Sequence, residues 1–151
     1  MWQIILRADF YHLTQLPLER VLPAICERVH AQGERLSIVA EDEELLNRLD
    51  QLLWTYKAES FLPHGRAGGE DDAAQPILLA LPDQPTGAAR NIALVDGVWR
   101  DLALGFDRAF YLFDEVTIDG ARAAWRALAG NDKVERHYWK QDEEGRWREG
   151  P

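Results

Sequence analysis

Cysteine is nearly absent from this chain: Cys26 is the only one among 151 residues. A lone thiol excludes an intramolecular disulfide and every paired-cysteine metal or redox motif. Cys26 lies within an apolar pattern, the setting of a packed thiol rather than a nucleophile. Positive charge is scarce as well. Lysine and arginine number 17 against 26 aspartates and glutamates, a formal net charge of −9. That balance argues against broad contact with phosphate backbones, so direct binding of nucleic acid is not expected. Long apolar runs are missing too. Met1–Leu6 is too short for a signal peptide, and no stretch approaches the roughly 20 apolar residues that cross a bilayer. The expectation is a soluble chain in a reducing, cytoplasmic setting, with no membrane partner.

The usual signatures of catalysis are also lacking. No G-x-G-x-x-G follows the first strand and no G-x-x-x-x-G-K-[ST] occurs anywhere. The glycine-rich piece His64–Glu70 lacks the Lys-Ser/Thr pair that holds a phosphate and its metal, and reads as a mobile loop. His12, His30, His64 and His137 show no metal-ligand spacing, so hydrogen-bonded structural roles are expected. Ser60 and His64 stand four apart without a nucleophile elbow or an assigned acid, which leaves a serine hydrolase unsupported. Acidic pairs such as Asp71–Asp72, Glu41–Glu44 and Asp142–Glu144 read as solvated. No catalytic residue, metal or cofactor is assigned.

What is present is ordinary globular material, 46% apolar and 28% charged, enough for one domain over residues 1–151 with one sizeable core. Ala8–Leu13 is short and aromatic and predicts a strand. Leu18, Val21, Leu22, Ile25, Cys26 and Val29 then recur at helical spacing, with Pro23 expected to kink or delay that helix and Gly33 to stop it. Arg35–Ala40 reads as a buried strand. Glu41–Glu44 opens a second helix, whose Leu45, Leu46, Leu49, Leu52 and Leu53 face inward. Short strands are expected at Pro76–Leu81, Asn91–Val95 and Ala109–Phe113, a helix at Ile118–Leu128, and an extended, aromatic tail over Lys133–Trp147. Strands alternating with helices predict an α/β, three-layer Rossmann-like sandwich with a mostly parallel central sheet.

Two features remain. Trp54, Phe61 and Pro63 surround the exit of the second helix. Tryptophan is a hot-spot residue type and Pro63 pre-sets the backbone, so these residues read either as partner anchors or as a plug over the core. The second feature is Arg122, Trp125 and Arg126. Their spacing lets two guanidiniums and an indole share one helix face, which suits a peptide carboxylate and an aromatic side chain. On the residues alone, an inward Trp125 with two solvated arginines is the stronger reading. From Thr117 onward seven basic residues balance seven acidic ones, so the first 116 residues carry the whole negative charge.

Ala8-Asp-Phe-Tyr-His-Leu, Glu41-Asp-Glu, Leu49-Asp-Gln-Leu-Leu-Trp54, Glu59-Ser-Phe-Leu-Pro-His64 and the Arg122–Arg126 helix occur in this order along the chain. In that order they resemble the chi subunit family of the bacterial DNA polymerase III holoenzyme. The resemblance implies a non-catalytic accessory subunit on a Rossmann-like fold. Such a subunit bridges the clamp-loader complex to single-stranded DNA-binding protein (SSB) by holding SSB's acidic, phenylalanine-terminated C-terminal tail. It implies that Arg122, Trp125 and Arg126 grip that tail, with Phe113 or Leu112 as the apolar wall. Tryptophan and arginine stand here where the best-known members have tyrosine and lysine. It also implies that Trp54, Phe61 and Pro63 face the psi subunit, or a helicase competing for the same surface. The rival reading is a small hydrolase or nucleotide-binding enzyme on the same scaffold, with Glu41 and Asp42 at the strand carboxyl ends.

Overall fold

The computed structural model describes residues 5–56, 62–69, 72–84 and 88–150. Its strands are β1 (Leu6–His12), β2 (Leu36–Val39), β3 (His64–Arg66), β4 (Ile77–Ala80), β5 (Asn91–Leu94), β6 (Arg108–Phe113), β7 (Val134–Gln141) and β8 (Trp147–Glu149). The helices are α1 (Leu18–Ala31), α2 (Glu43–Thr55) and α3 (Ile118–Leu128). The strands form one sheet in the order β3-β4-β2-β5-β6-β1-β7-β8, with every pairing parallel except β7 with β8.

A parallel sheet buries both faces, and side chains alternate between them. Tyr11, Ile38, Phe110 and Leu112 pack against Leu22, Ile25, Cys26, Leu46, Leu49 and Leu53 of α1 and α2. Their neighbours Phe10, Val39, Tyr111 and Phe113 point the other way. They meet Ala121, Ala124 and Leu128 of α3, together with Ala103 of a 3-10 turn at Asp101–Gly105. The α/β sandwich expected from the alternation of strands and helices is the observed architecture.

Two local expectations are corrected. Pro23 does not delay α1, which runs from Leu18 with Pro23 buried inside it. The hydrogen bond lost at its ring is outweighed by the buried stripe Val21, Leu22, Ile25, Cys26 and Val29. The helix does stop at Gly33, whose φ of +74° allows Gly33 N–H to bond His30 O and Glu34 N–H to bond Val29 O. The glycine-rich piece is not simply a loop, because His64, Gly65 and Arg66 form the edge strand β3 beside β4. Three residues are too few for alternation to register in a sequence. β1 begins at Leu6, where the Ile5 and Leu6 N–H groups bond Lys133 O as the chain enters alongside β7.

Candidate functional site

The turn between β6 and α3 is built by two side chains. Asp114 Oδ1 accepts bonds from the N–H groups of Val116 and Thr117, at 2.9 and 3.2 Å, while Thr117 Oγ1 accepts from Asp114 N–H at 3.1 Å. This turn lays α3 across the end of β6, so that Phe113 faces the helix. Between them opens a cavity of about 250 Å³, walled by Phe113, Ile118, Ala121, Trp125 and Tyr138 and rimmed by Arg122 and Arg126. Phe113 and the arginine–tryptophan–arginine set thus come together in one place. Leu112, the other candidate wall, belongs to the opposite face of the sheet because strand neighbours alternate.

Trp125 is neither plainly inward nor plainly solvated. It is half-buried, edge-on to Phe10 (ring centroids 5.1 Å apart, 88° between planes) and to Tyr138 (5.9 Å, 85°). Both arginines are exposed. Arg122 lies 3.7 Å from Asp119, an exposed pair of little energetic weight. No ion pair among the described residues involves Arg126. No carboxylate among the described residues lines the cavity, which leaves a positive rim around an aromatic hole.

Tyr138, Ile118 and Ala121 are wall residues that the sequence did not point to. Tyr138 lies on β7, where the register sets Phe10 opposite it on β1. Its hydroxyl meets His12 Nδ1 at 3.1 Å, and the buried His12 ring stacks on Phe113 at 5.0 Å. The period-two pattern of the tail could have singled out Tyr138, had the pairing of β7 with β1 been readable. Burial pushes the Tyr138 hydroxyl above the ordinary tyrosine range, with Arg122 opposing and Glu115 adding to the shift.

The second candidate surface lies at the other end of the sheet. Trp54, near the end of α2, is 53% exposed, which removes the reading of it as a core plug. Its ring lies 4.5 Å from that of His64. The His64 side chain is fully buried, with Nδ1 2.6 Å from Leu62 O and Nε2 3.1 Å from Asp50 O. Those contacts tie β3 to α2 and set the Trp54 platform. Leu62 is buried and Pro63 half-buried beside it. Phe61 lies outside the described residues.

The carboxyl ends of the strands are where an α/β enzyme would place its site. A cleft of about 440 Å³ opens there, between the loops after β1, β5 and β6. Its charged lining is Glu19, Asp96 and Asp114, with no arginine or lysine among the described residues. Burial pushes the Asp96 carboxyl up, but bonds from Arg100 and from Glu41 N–H outweigh this and hold it below the ordinary range. The loop amides that could cradle an anion are already taken: Gln141 Oε1 accepts from Thr14, Gln15 and Leu16 N–H at 3.0, 2.9 and 3.1 Å. Glu41 and Asp42 do not converge on a ligand position. Asp42 caps α2 through Glu44 N–H at 2.9 Å, and the Glu41 side chain is 84% exposed. No group of three or more potential metal ligands occurs among the described residues.

DNA polymerase III subunit chi of Escherichia coli is 34% identical over 77 residues, 51% of this chain and 52% of that protein. DNA polymerase III subunit chi of Pseudomonas aeruginosa is 33% identical over 91 residues, 58% of this chain and 62% of that protein. The chain thus spans about half to six-tenths of the length of these curated relatives. Residues 6–133 match the family described as DNA polymerase III chi subunit, HolC. That match runs from β1 through α3, takes in Trp54 and the whole Arg122–Arg126 set, and places the chain in the DNA polymerase III chi subunit family.

Proposed function

We propose that this protein is a non-catalytic replication accessory subunit that holds the C-terminal tail of SSB in the cavity between α3 and β7. The single observation that carries the reading is the pairing of an aromatic hole with a rim that bears Arg122 and Arg126 and, among the described residues, no lining carboxylate. A terminal phenylalanine ring fits between Phe113, Trp125 and Tyr138. The tail's carboxylates then meet guanidiniums, which bind them as planar forks. On the far edge of the sheet, the exposed Trp54 with Pro63 serves as the surface for the psi subunit or a competing helicase, which links the tail to the clamp loader. The chain acts throughout as one domain. Gln141, filling the loop amides after β1, weighs against a nucleotide-binding enzyme at the strand ends.

Calorimetry with an SSB-tail peptide tests this reading. A hydrogen bond to a charged group contributes about 1.5–3 kcal/mol when well made. Both arginines are exposed, so a contribution of about 1 kcal/mol each is expected after solvent screening. The Arg122→Ala/Arg126→Ala protein should therefore bind about tenfold or more weakly. Undiminished binding by that double variant would sink the assignment of the site.

A further inference from the structure

The wall residue Trp125 is held by a side chain from outside its own helix. Arg136, on β7, sets its guanidinium carbon 4.1 Å from the Trp125 ring centroid. The same group donates from Nη1 to Trp125 O at 2.7 Å. That carbonyl lies in the last turn of α3, where the cap N–H of Ala129 bonds Arg126 O instead. A cation at this end also meets the negative pole of the helix. No ion pair among the described residues involves Arg136, so its charge is committed to the ring and the carbonyl. Phe10 and Tyr138 stand nearly perpendicular to Trp125, and the Arg136 guanidinium lies over its ring.

We infer that Arg136 is a positioning and specificity residue for the tail site: it clamps the Trp125 indole as the wall against which the ligand's terminal aromatic ring is read. The inference rests on the tail-binding reading above. Arg136 lies beyond the segment matched to the family, at the position where β7 crosses under the end of α3. The mechanism is a division of labour. Arg122 and Arg126 attract any acidic tail, whereas Arg136 governs only whether a ring at its end is recognised.

Discrimination between two peptides separates these roles. The probes are an acidic SSB-tail peptide ending in phenylalanine and the same peptide ending in alanine, titrated by calorimetry into the full chain. Arg136→Met keeps the apolar stem against Trp125 and removes the guanidinium. It should weaken the phenylalanine peptide about three- to tenfold, the scale of a lost cation–π clamp, and leave the alanine peptide unchanged. Arg136→Lys, which keeps a cation on a similar stem, should recover part of the discrimination, and Arg136→Gln, which carries no cation, serves in place of the methionine variant if that does not fold. Parent-like discrimination in the variant that folds overturns the inference, and so does an equal loss for both peptides, which would mark a simple charge effect. The Arg122→Ala/Arg126→Ala protein is measured alongside. If it binds as the parent does, the site reading itself fails and this inference with it. If it loses both peptides while Arg136→Met discriminates normally, only the role of Arg136 fails.

Discussion

Asp9 shows how much a single residue of the central strand has to satisfy. Its carboxylate is wholly buried on β1, yet it receives bonds from Arg7, from Arg108 at 3.0 Å and from Trp139 Nε1 at 2.9 Å. Burial alone would push its carboxyl up. The bonds from Arg7 and Trp139 and the charge of Arg108 outweigh that and hold it below the ordinary carboxylate range. A group lowered in the folded state contributes stability above its unfolded value of about 3.9, and loses it as pH falls through the folded value. Stability measured by urea titration should therefore be level near neutrality in this respect and decline below about pH 4. Asp9→Asn should cost about 1–3 kcal/mol at pH 7 and shrink as a penalty in acid. A constant penalty across that range would refute the linkage. Cys26 presents the opposite case. Burial pushes its thiol up to about 12, so a thiol reagent should label it only after denaturation.

Among the elements, the β7–β8 hairpin does the most to complete the fold. Gln141 closes the loop after β1 through its three amide bonds, and Trp147 of β8 packs edge-on to Tyr11 at 5.0 Å. Gln141→Ala would leave three N–H groups without their acceptor. Its expected cost is at least about 1–3 kcal/mol, with faster hydrogen exchange at Thr14, Gln15 and Leu16 as the local sign. Unchanged exchange there would mean that water replaces the side chain at no cost. On the same hairpin, His137 lies between Glu135 and Glu149, 2.5 and 2.6 Å away, and these carboxylates raise its pKa. A raised histidine contributes stability below about pH 6.5 that is lost as pH rises through its folded value. β8 amides should accordingly exchange faster in mildly alkaline solution, and Glu149→Gln should remove much of that dependence. These cross-strand devices mark the limit of what the chain reveals as a sequence. Helical spacing exposes α1, α2 and α3, and apolar runs expose β2, β4 and β5, because those signals are local. The embrace of residues 14–16 by a glutamine some 125 residues later is not local. The pairing that brings Tyr138 and Arg136 under α3 is hidden for the same reason. The spacing of Arg122, Trp125 and Arg126 is visible because one helix carries them, although the residues alone favour solvated arginines, whereas Tyr138 lies on another strand.

For the whole molecule, the decisive fact is separation. Trp54 sits near the end of α2, beside the edge strand β3. The arginine-rimmed cavity lies under α3, on the opposite face of the sheet and toward its other edge. The two candidate surfaces share no described wall residue, and a rigid parallel sheet lies between them. Perturbations at such distant sites add with little cross-talk. Trp54→Ala should therefore leave affinity for an SSB-tail peptide within about 0.5 kcal/mol of the parent value. Arg122→Ala/Arg126→Ala should likewise leave capture of a psi or helicase partner intact. Salt supplies an independent check, because the two contacts differ in kind. Under the proposed reading, tail binding rests on exposed guanidiniums and should weaken steeply as ionic strength rises and the Debye length falls from about 10 Å at 0.1 M. A contact centred on Trp54 buries apolar surface and should respond far less. Measuring both affinities across one salt series, in the parent and in each variant, tests the two-ended arrangement directly. If Trp54→Ala weakened tail binding as much as the arginine double variant does, the surfaces would be one coupled site, and the picture of a passive bridge would have to be abandoned.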